Sequence, residues 1–291
     1  MANLKEIRNR IVSVGSTMQI TSAMKMVSAA KLKRAQNAIV RMRPYSDKLT
    51  EILQNVSATL DLSENGYSDC RNEERILVIA ISSNRGLCGG FNSHIIKKVN
   101  HLLATEYAGK DVTVLPIGKK VYDAVKHTHQ TLTTGSLGVD DFYADFTFKN
   151  ATTIADFAMD GFMSKKFDKV VIIYNHFVNA ATQVVMDEQF LPISPSVDTD
   201  RTTSTGDYIY EPSKKEIVED LIPKSLRTQL YKALLDSHAS EHGARMIAMN
   251  KATDNAQELK RALTISYNKA RQAAITNEIL EIVGGAEALN N

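Results

Sequence analysis

A glycine-rich segment at residues 86–90, within the string RGLCGGFN, is the part of this sequence whose composition and position best suit chemistry. It follows an apolar run and precedes a helical pattern, and many α/β proteins hold a phosphate in such a turn. The segment matches neither the dinucleotide fingerprint G-x-G-x-x-G nor the phosphate loop G-x-x-x-x-G-K-[S/T]. Arg85 and the backbone amides after it could still hold an anion, but the glycines favour a tight strand-to-helix turn against another backbone.

Histidines and acidic residues offer two further candidate sites. His238 and His242 are four residues apart, a spacing that places both imidazoles on one helix face and could in principle hold a metal. No third ligand is evident near them, so a solvated or helix-packing role is favoured. Asp140, Asp141 and Asp145 form an acidic cluster whose spacing fits no calcium loop. The sequence also lacks a G-x-S-x-G string, and we expect no catalytic residue, metal or cofactor on this chain.

The composition is that of an ordinary folded protein of 291 residues, with 43% hydrophobic residues, 23% charged residues and six prolines. The two cysteines, Cys70 and Cys88, fit no metal spacing and no disulfide framework, which suits a reducing cytoplasm. The amphipathic start of the chain does not resemble a signal peptide. No apolar run approaches about 18 residues, the length that indicates a membrane span.

Charge is distributed unevenly along the chain, although the net charge is only +2. Residues 1–48 carry ten Lys or Arg against Glu6 and Asp47, a balance of +8 that leaves −6 for the remaining residues. The small total argues against a general binder of polyanions. The basic segment fits either a solvated helix face or a specific anionic partner surface, and its composition leaves both open.

The first 59 residues are predicted to form one long helix. Apolar residues recur there in steps of three and four, the pattern of a coiled-coil seam, at Leu4, Ile7, Ile11, Val14 and Met18. Pro44 is expected to kink or interrupt the helix. Residues 1–59 therefore predict a coiled-coil helix that needs a second helix as its partner.

The middle of the chain, residues 75–205, predicts a compact α/β domain with Rossmann-like architecture. Short β-branched runs alternate there with helical patterns, which is typical of a parallel sheet. The runs are at 75–83, 111–118 and 169–177, and the helical patterns at 92–107, 119–127 and 151–166. The next run, 180–193, follows the third too closely for a parallel crossover, so we expect an antiparallel partner at the sheet edge.

The C-terminal region, residues 213–289, returns to a helical pattern and predicts a second coiled-coil helix. Alternating steps of four and three connect a row of apolar and small residues. The predicted row is Ala252, Ala256, Leu259, Leu263, Ser266, Ala270, Ala273, Asn277 and Leu280. The simplest arrangement pairs the two terminal helices as a long antiparallel coiled coil flanking the central α/β domain.

Four strings in this sequence closely resemble the gamma subunits of F-type ATP synthases, in the order that the family has them. They are ITSAMKMVSAAKLKRAQ at 20–36, SSNRGLCGGFN at 82–92, SEHGARMIAMNKATDNA at 240–256 and YNKARQAAITNEILEIVGGAEAL at 267–289. The last two are the most specific. The departures are mild, because Asn84 stands where many members have aspartate and the regulatory cysteine segment of the chloroplast type is missing.

The resemblance implies a rotor subunit without catalytic residues of its own. In that family the paired terminal helices form a shaft inside a hexamer of alpha and beta subunits. The α/β domain forms the foot, on the epsilon subunit and the membrane rotor ring (c-ring). ATP, ADP and Mg²⁺ bind to the alpha and beta partners. The bacterial type implies a peripheral location at the cytoplasmic face of the inner membrane.

The same resemblance implies roles for residues of both terminal helices. Arg271, Gln272 and Thr276, in the string ARQAAIT, match the family's residues that engage the catch loops of the beta subunits. Met24 and Lys25 match part of the face opposite the acidic lever segment of beta. That assignment would give the basic N-terminal segment a partner.

Residues of the central region are assigned in the same way. Arg85, Lys97 and Lys98 are expected to extend the basic face toward the beta lever segment. Tyr208 and Tyr210, in the string GDYIYEP, fall in the region that resembles the foot on the rotor ring.

Two other classes of protein are weighed against a rotor stalk. A nucleotide-binding α/β enzyme with coiled-coil arms rests only on the glycine-rich segment. An RNA-binding arm would explain the basic helix, but Tyr45 is the only aromatic residue in the first 48, and RNA recognition commonly uses aromatic stacking.

Overall fold

The computed structural model describes residues 4–57, 66–128, 130–132, 146–193 and 214–289. Its helices are α1 (Leu4–Ser57), α2 (Phe91–Ala104), α3 (Lys119–Val125), α4 (Phe148–Met163) and α5 (Lys214–Leu289). Its strands are β1 (Arg75–Ile81), β2 (Asp111–Ile117), β3 (Gln130–Thr131), β4 (Lys169–Phe177) and β5 (Gln183–Leu191). The predicted domain boundaries at 59, 205 and 213 lie outside the described residues.

The chain divides into two compact units. One contains residues 1–28 and 246–291, and the other contains residues 29–245. The first unit is built from the beginning of α1 and the C-terminal part of α5, and the second unit contains the sheet. The predicted combination of long terminal helices with a central α/β domain is therefore confirmed.

The sheet of the second unit has five strands in the order β3-β2-β1-β4-β5. Strand β1 pairs in parallel with β2 and with β4, and Ile76 lies opposite Val112 on one side and Lys169 on the other. Strand β5 pairs antiparallel with β4, which confirms the hairpin predicted from the short connection. The pattern missed β3, because its two residues are too few to show a period.

Side chains of β1 alternate between two apolar cores, one on each face of the sheet. Ile76 and Val78 belong to a core that α2 and α3 complete. Leu77 and Ile79 belong to a core that α4 and residues 222–234 of α5 complete. Because both faces are covered, every residue from 76 to 81 is at most 1% exposed, and the strand reads as a continuous apolar run.

The N-terminal part of α1 uses the predicted seam. Between residues 4 and 18 the covered side chains are those of the predicted row, together with Gly15, and all other positions are exposed. Pro44 lies inside α1 without ending it, since the helix continues to Ser57.

Within the first unit, α1 and α5 run antiparallel in a fixed register. The hydroxyl oxygens of Thr21 and Thr253 lie 2.8 Å apart, and Lys25 Nζ donates to Asn250 Oδ1 at 2.5 Å. Moving four residues forward along α1, from 21 to 25, thus corresponds to moving three residues back along α5, from 253 to 250. Continuing this register places Leu4, the first described residue, opposite about residue 271.

The predicted seam of α5 is only partly right. Ala252, Ala256, Leu263 and Ala270 are covered as predicted, but Leu259, Ser266, Ala273, Asn277 and Leu280 are exposed. The covered positions one residue later are Lys260, Tyr267 and Ala274. A Cβ built on Gly15 would lie 3.8 Å from Lys260 Nζ, so the end of the lysine side chain lies over the place where α1 has no side chain. Long amphipathic side chains can cover a neighbouring helix in this way, which a purely apolar pattern misses.

No helix of the described ranges combines the length and the apolar character needed to cross a membrane.

Candidate functional site

Asn92, in the first turn of α2, closes the glycine-rich loop through its side-chain amide. Its Oδ1 accepts from the Ser83 amide at 3.0 Å, and its Nδ2 donates to Ser83 Oγ at 2.8 Å. Ser83 Oγ also lies 2.7 Å from the carbonyl oxygen of Arg85, to which it can donate. These bonds connect the residues on either side of the glycine-rich segment in a strand-to-helix turn.

Gly118, directly after β2, lies against the backbone of Ser82, directly after β1. Its φ is 104°, and a Cβ at this position would lie 2.3 Å from the carbonyl oxygen of Ser82. The amide of Lys119 donates to Asn84 Oδ1 at 3.0 Å. Asn84 thus supplies a side-chain oxygen that accepts this local turn contact.

The carboxyl ends of β1 and β4 are where a ligand would bind in an open α/β sheet, because the connections of neighbouring strands diverge there. Here α5 contacts both. Ser240 Oγ donates to the carbonyl oxygen of Asn175 in β4 at 3.0 Å, and Arg245 Nη2 donates to that of Arg85, in the loop after β1, at 2.9 Å. The helix of the same chain therefore binds the backbone at the position that holds a nucleotide in a dinucleotide-binding fold.

Arg245 is the central cation of this contact. It forms a buried ion pair with Glu241, one turn earlier, with 2.6 Å between Arg245 Nη1 and Glu241 Oε1. Burial raises the pKa of Glu241, and the positive charge of Arg245 opposes that rise. Both residues stand in one of the strings that carry the family resemblance, but the sequence alone did not show that they hold α5 against the glycine-rich loop.

His238 and His242 do lie on one helix face, with 3.1 Å between their Nε2 atoms. Burial lowers the pKa of His238 to about 4 and that of His242 to about 3, and nearby positive charges add to both shifts. Both imidazoles are therefore neutral near pH 7.

The proton on His242 can be placed from its neighbour. Arg245 Nη1 lies 3.4 Å from His242 Nδ1, and since a guanidinium only donates, that nitrogen must accept. The proton then lies on Nε2 of His242 and is donated to His238. A ligating histidine normally donates its second ring nitrogen to an acceptor, so this geometry favours packing over metal binding. Within the described ranges, no three His, Cys, Asp or Glu side chains are grouped as a metal site needs.

Met24 and Lys25 lie in the first unit, on α1. Met24 is half-buried and Lys25 is exposed, with its ammonium group on Asn250 of α5. This partner of the Lys25 ammonium group is thus a neutral amide and not a carboxylate.

Arg85, Lys97 and Lys98 lie in the second unit. Arg85 and Lys97 are exposed. Lys98 is half-buried and forms an ion pair with Asp187 of β5, with 2.9 Å between Lys98 Nζ and the carboxylate. Because its charge is already matched, Lys98 suits an external acidic partner less well than Arg85 and Lys97 do.

Arg271, Gln272 and Thr276 are exposed on the C-terminal part of α5. Thr276 Oγ1 donates to the carbonyl oxygen of Gln272 at 2.9 Å, inside its own helix. Among the described residues, the Arg271 side chain has no ion-pair or hydrogen-bond partner. These groups are therefore available to another chain. Tyr208 and Tyr210, predicted for the foot, lie outside the described residues.

Comparison with known proteins places the chain in a family. A family model described as ATP synthase matches residues 3–289. The ATP synthase gamma chain of Flavobacterium johnsoniae is 60% identical over 291 residues, covering 100% of both chains. That of Flavobacterium psychrophilum is 61% identical over 290 residues, covering 99% of each.

Solved structures share the fold. The rotor of the Euglena gracilis mitochondrial ATP synthase matches with a TM-score of 0.64 at 22% identity, covering 94% of this chain and 98% of that one. A chain of the OSCP/F1/c-ring assembly from the same organism matches with a TM-score of 0.66 at 23% identity, covering 98% and 94%.

The class defined by this fold thus combines an α/β sheet domain with two long terminal helices. The chain belongs to the ATP synthase gamma chain family.

Proposed function

We propose that this chain is the rotating central stalk of an ATP synthase and carries no catalytic residue itself. The observation that carries this function is the end of α5. In the register with α1, Leu4 lies opposite about residue 271, and α5 continues to Leu289. Five large apolar side chains beyond that point are between 47% and 71% exposed, namely Ile275, Ile279, Leu280, Ile282 and Val283.

An exposed apolar helix end needs a partner. Fully burying one such side chain contributes about 1.5–3 kcal/mol, whereas ordering each residue costs about 1–2 kcal/mol, so the end is of marginal stability alone. A closed apolar sleeve that surrounds the helix suits exposure on several sides better than a single flat neighbour does. We infer that the hexamer of alpha and beta subunits supplies this sleeve.

Nucleotide binding and catalysis are assigned to the alpha and beta partners rather than to this chain. Two features support this: Ser83 bonds to Asn92 across the glycine-rich loop, and α5 binds the carboxyl edge of the sheet. ATP, ADP and Mg²⁺ then act on this chain only through the conformations of the subunits that hold them.

The asymmetry of the shaft would couple its rotation to nucleotide binding at the catalytic sites. A shaft that presents a different face to each of three catalytic sites stabilises a different conformation at each, and turning it changes the nucleotide affinities in sequence. Arg271, Gln272 and Thr276 would engage the catch loops of beta. Met24 and Lys25, with Arg85, Lys97 and Lys98, would face its acidic lever segment, and Lys98 contributes least because of Asp187.

The foot is assigned to the epsilon subunit and the membrane c-ring, with Tyr208 and Tyr210 in that contact. We place the chain at the cytoplasmic face of the bacterial inner membrane, as a peripheral subunit.

Hydrogen exchange of amides 276–286, measured on the purified chain and on its complex with alpha and beta, tests the role of the α5 end. We expect fast exchange in the free chain and strong protection in the complex. Equal protection in both would show that this end is not seated in the hexamer. ATP turnover by the purified chain that persists through further purification would contradict the absence of catalytic residues.

A further inference from the structure

A cavity of about 180 Å³ lies between α1, the end of β4 and α5, entirely within the unit of residues 29–245. Its apolar wall is formed by Ile39, Met42, Phe177 and Leu235. For scale, a dry cavity of about 150 Å³ is enough to bind benzene. A six-membered ring with one small substituent therefore fits this cavity.

Two cations line the same cavity. Arg43 comes from α1 and Lys232 from α5, and both side chains are exposed. Neither makes an ion pair within 4.0 Å with a described residue. Within the described residues, both charges are therefore available to an anion that enters the cavity.

The carboxylate that lines the cavity is already engaged. Asp236 is buried, and its Oδ2 lies 2.7 Å from Nδ1 of His176. Burial raises the pKa of Asp236, while His176, Lys232 and Arg43 lower it. This pair carries at most one negative charge. Arg43 and Lys232 together outweigh it, so the cavity has a net positive charge.

We propose that this cavity binds a small monocarboxylate with an aromatic or branched apolar body, whose carboxylate lies between Arg43 and Lys232. The body lies against the apolar wall, and the bound molecule connects α1 to α5 across the end of β4. This site lies beyond the proposed rotor function, because no contact with another subunit is needed for binding.

Three probes of equal size and different charge test the site on the purified full-length chain. Binding of benzoate, benzamide and benzamidinium is measured by calorimetry and by the shift in thermal unfolding. We expect benzoate to bind at least about tenfold more tightly than benzamide, and benzamidinium more weakly still, because a charge-assisted bond is stronger than a neutral one. Tighter binding of benzamidinium would show that Asp236 dominates and would overturn the assignment.

Inorganic phosphate serves as a fourth probe. It carries the anionic charge without an apolar body, so we expect it to bind more weakly than benzoate. Equal binding of phosphate and benzoate would show that the cations act as a surface anion site without the cavity, and would overturn the proposal.

Substitutions locate the site. Arg43→Gln and Lys232→Gln are each expected to weaken benzoate binding about three- to tenfold. Arg41→Gln is the matched control, because Arg41 is exposed on the same helix and does not line the cavity. Ile39→Phe should abolish binding by filling the space. The proposal would be contradicted if all three glutamine variants weakened benzoate binding equally. It would also be contradicted if none of them changed benzoate binding.

Discussion

The hydroxyl groups of Thr21 and Thr253 meet at 2.8 Å across the two long helices, although 232 residues separate them in the chain. Both side chains are at least partly buried, and each hydroxyl also lies near a carbonyl oxygen of its own helix. This contact fixes the antiparallel register, which places Leu4 opposite about residue 271 of α5.

Thr253→Val tests the register. Valine keeps the shape of threonine but leaves the Thr21 hydroxyl without its cross-helix partner, so the free energy of unfolding should fall by about 0.5–1.5 kcal/mol. Thr264→Val is the matched control, since Thr264 is exposed and bonds only to the carbonyl oxygen of Lys260 within α5. Urea denaturation of both variants makes the comparison. An equal loss in the two would show that the cross-helix bond contributes nothing.

Glu241 and Arg245 should behave as one unit in a double-mutant cycle. Arg245→Met leaves Glu241 buried without its cation, and Glu241→Gln leaves the guanidinium without its anion, so each alone should destabilise the fold by about 3–5 kcal/mol. The double variant should lose clearly less than the two single losses added together. Denaturant unfolding of the four proteins provides the test, and simple additivity would exclude coupling between the two side chains.

The buried histidine pair predicts a loss of stability in mild acid. The pKa values of His238 and His242 in the folded chain, about 4 and about 3, lie below the ordinary value of 6.5. At a pH between the folded and unfolded pKa values, the unfolded chain binds more protons than the folded chain, so the free energy of unfolding falls as the pH drops through 6.5. Well above pH 6.5 these histidines are neutral in both states and do not change it. The slope is at most about 1.4 kcal/mol per pH unit for each histidine.

The histidine variants are compared at about pH 7.5 and about pH 5.5, a window that excludes most carboxylate titration. His238→Leu with His242→Gln should flatten the dependence of unfolding free energy on pH. The double variant His94→Gln with His101→Gln is the control. Both side chains are exposed, so replacing them should leave the pH dependence of the unfolding free energy unchanged. A steep dependence that survives the first double variant would assign the acid sensitivity to other groups.

Arg271 and Gln272 should matter for turnover of the assembly and not for folding of this chain. Replacing both by alanine removes a charge-assisted and an amide hydrogen bond to a partner, each contributing about 1–3 kcal/mol. Since both side chains are exposed, the unfolding of the isolated chain should hardly change. ATP hydrolysis by the reconstituted complex is the measurement. Unchanged turnover in a correctly assembled complex would remove these residues from the contact with beta.

The sequence predicted well where one physical rule decides the structure. Residues 76–81 are buried on both faces and therefore read as an uninterrupted apolar strand, and the steps of three and four along α1 identify the face that packs on α5. The four family strings identified the protein class that the comparisons then confirmed.

Prediction failed where a contact depends on side-chain length or on distance along the chain. Lys260 is covered where Leu259 was predicted, with its side-chain end beside Gly15, and a pattern of apolar residues alone does not show this. The pair of His176 with Asp236 joins a strand to a helix 60 residues later, and nothing local to either residue indicates it. Arg245 was visible in a family string, but its bond to the carbonyl oxygen of Arg85 requires the folded sheet.

Rotation of this chain inside the hexamer is the most direct test of the central claim, and the chain provides a position for the label. Cys70 is exposed and Cys88 is buried, so a thiol-reactive probe should attach selectively at Cys70 in the second unit. With the alpha and beta subunits immobilised and supplied with ATP, the label should turn in one direction, and its rate should follow ATP hydrolysis. Hydrolysis by a complete complex whose label stays stationary would contradict the account.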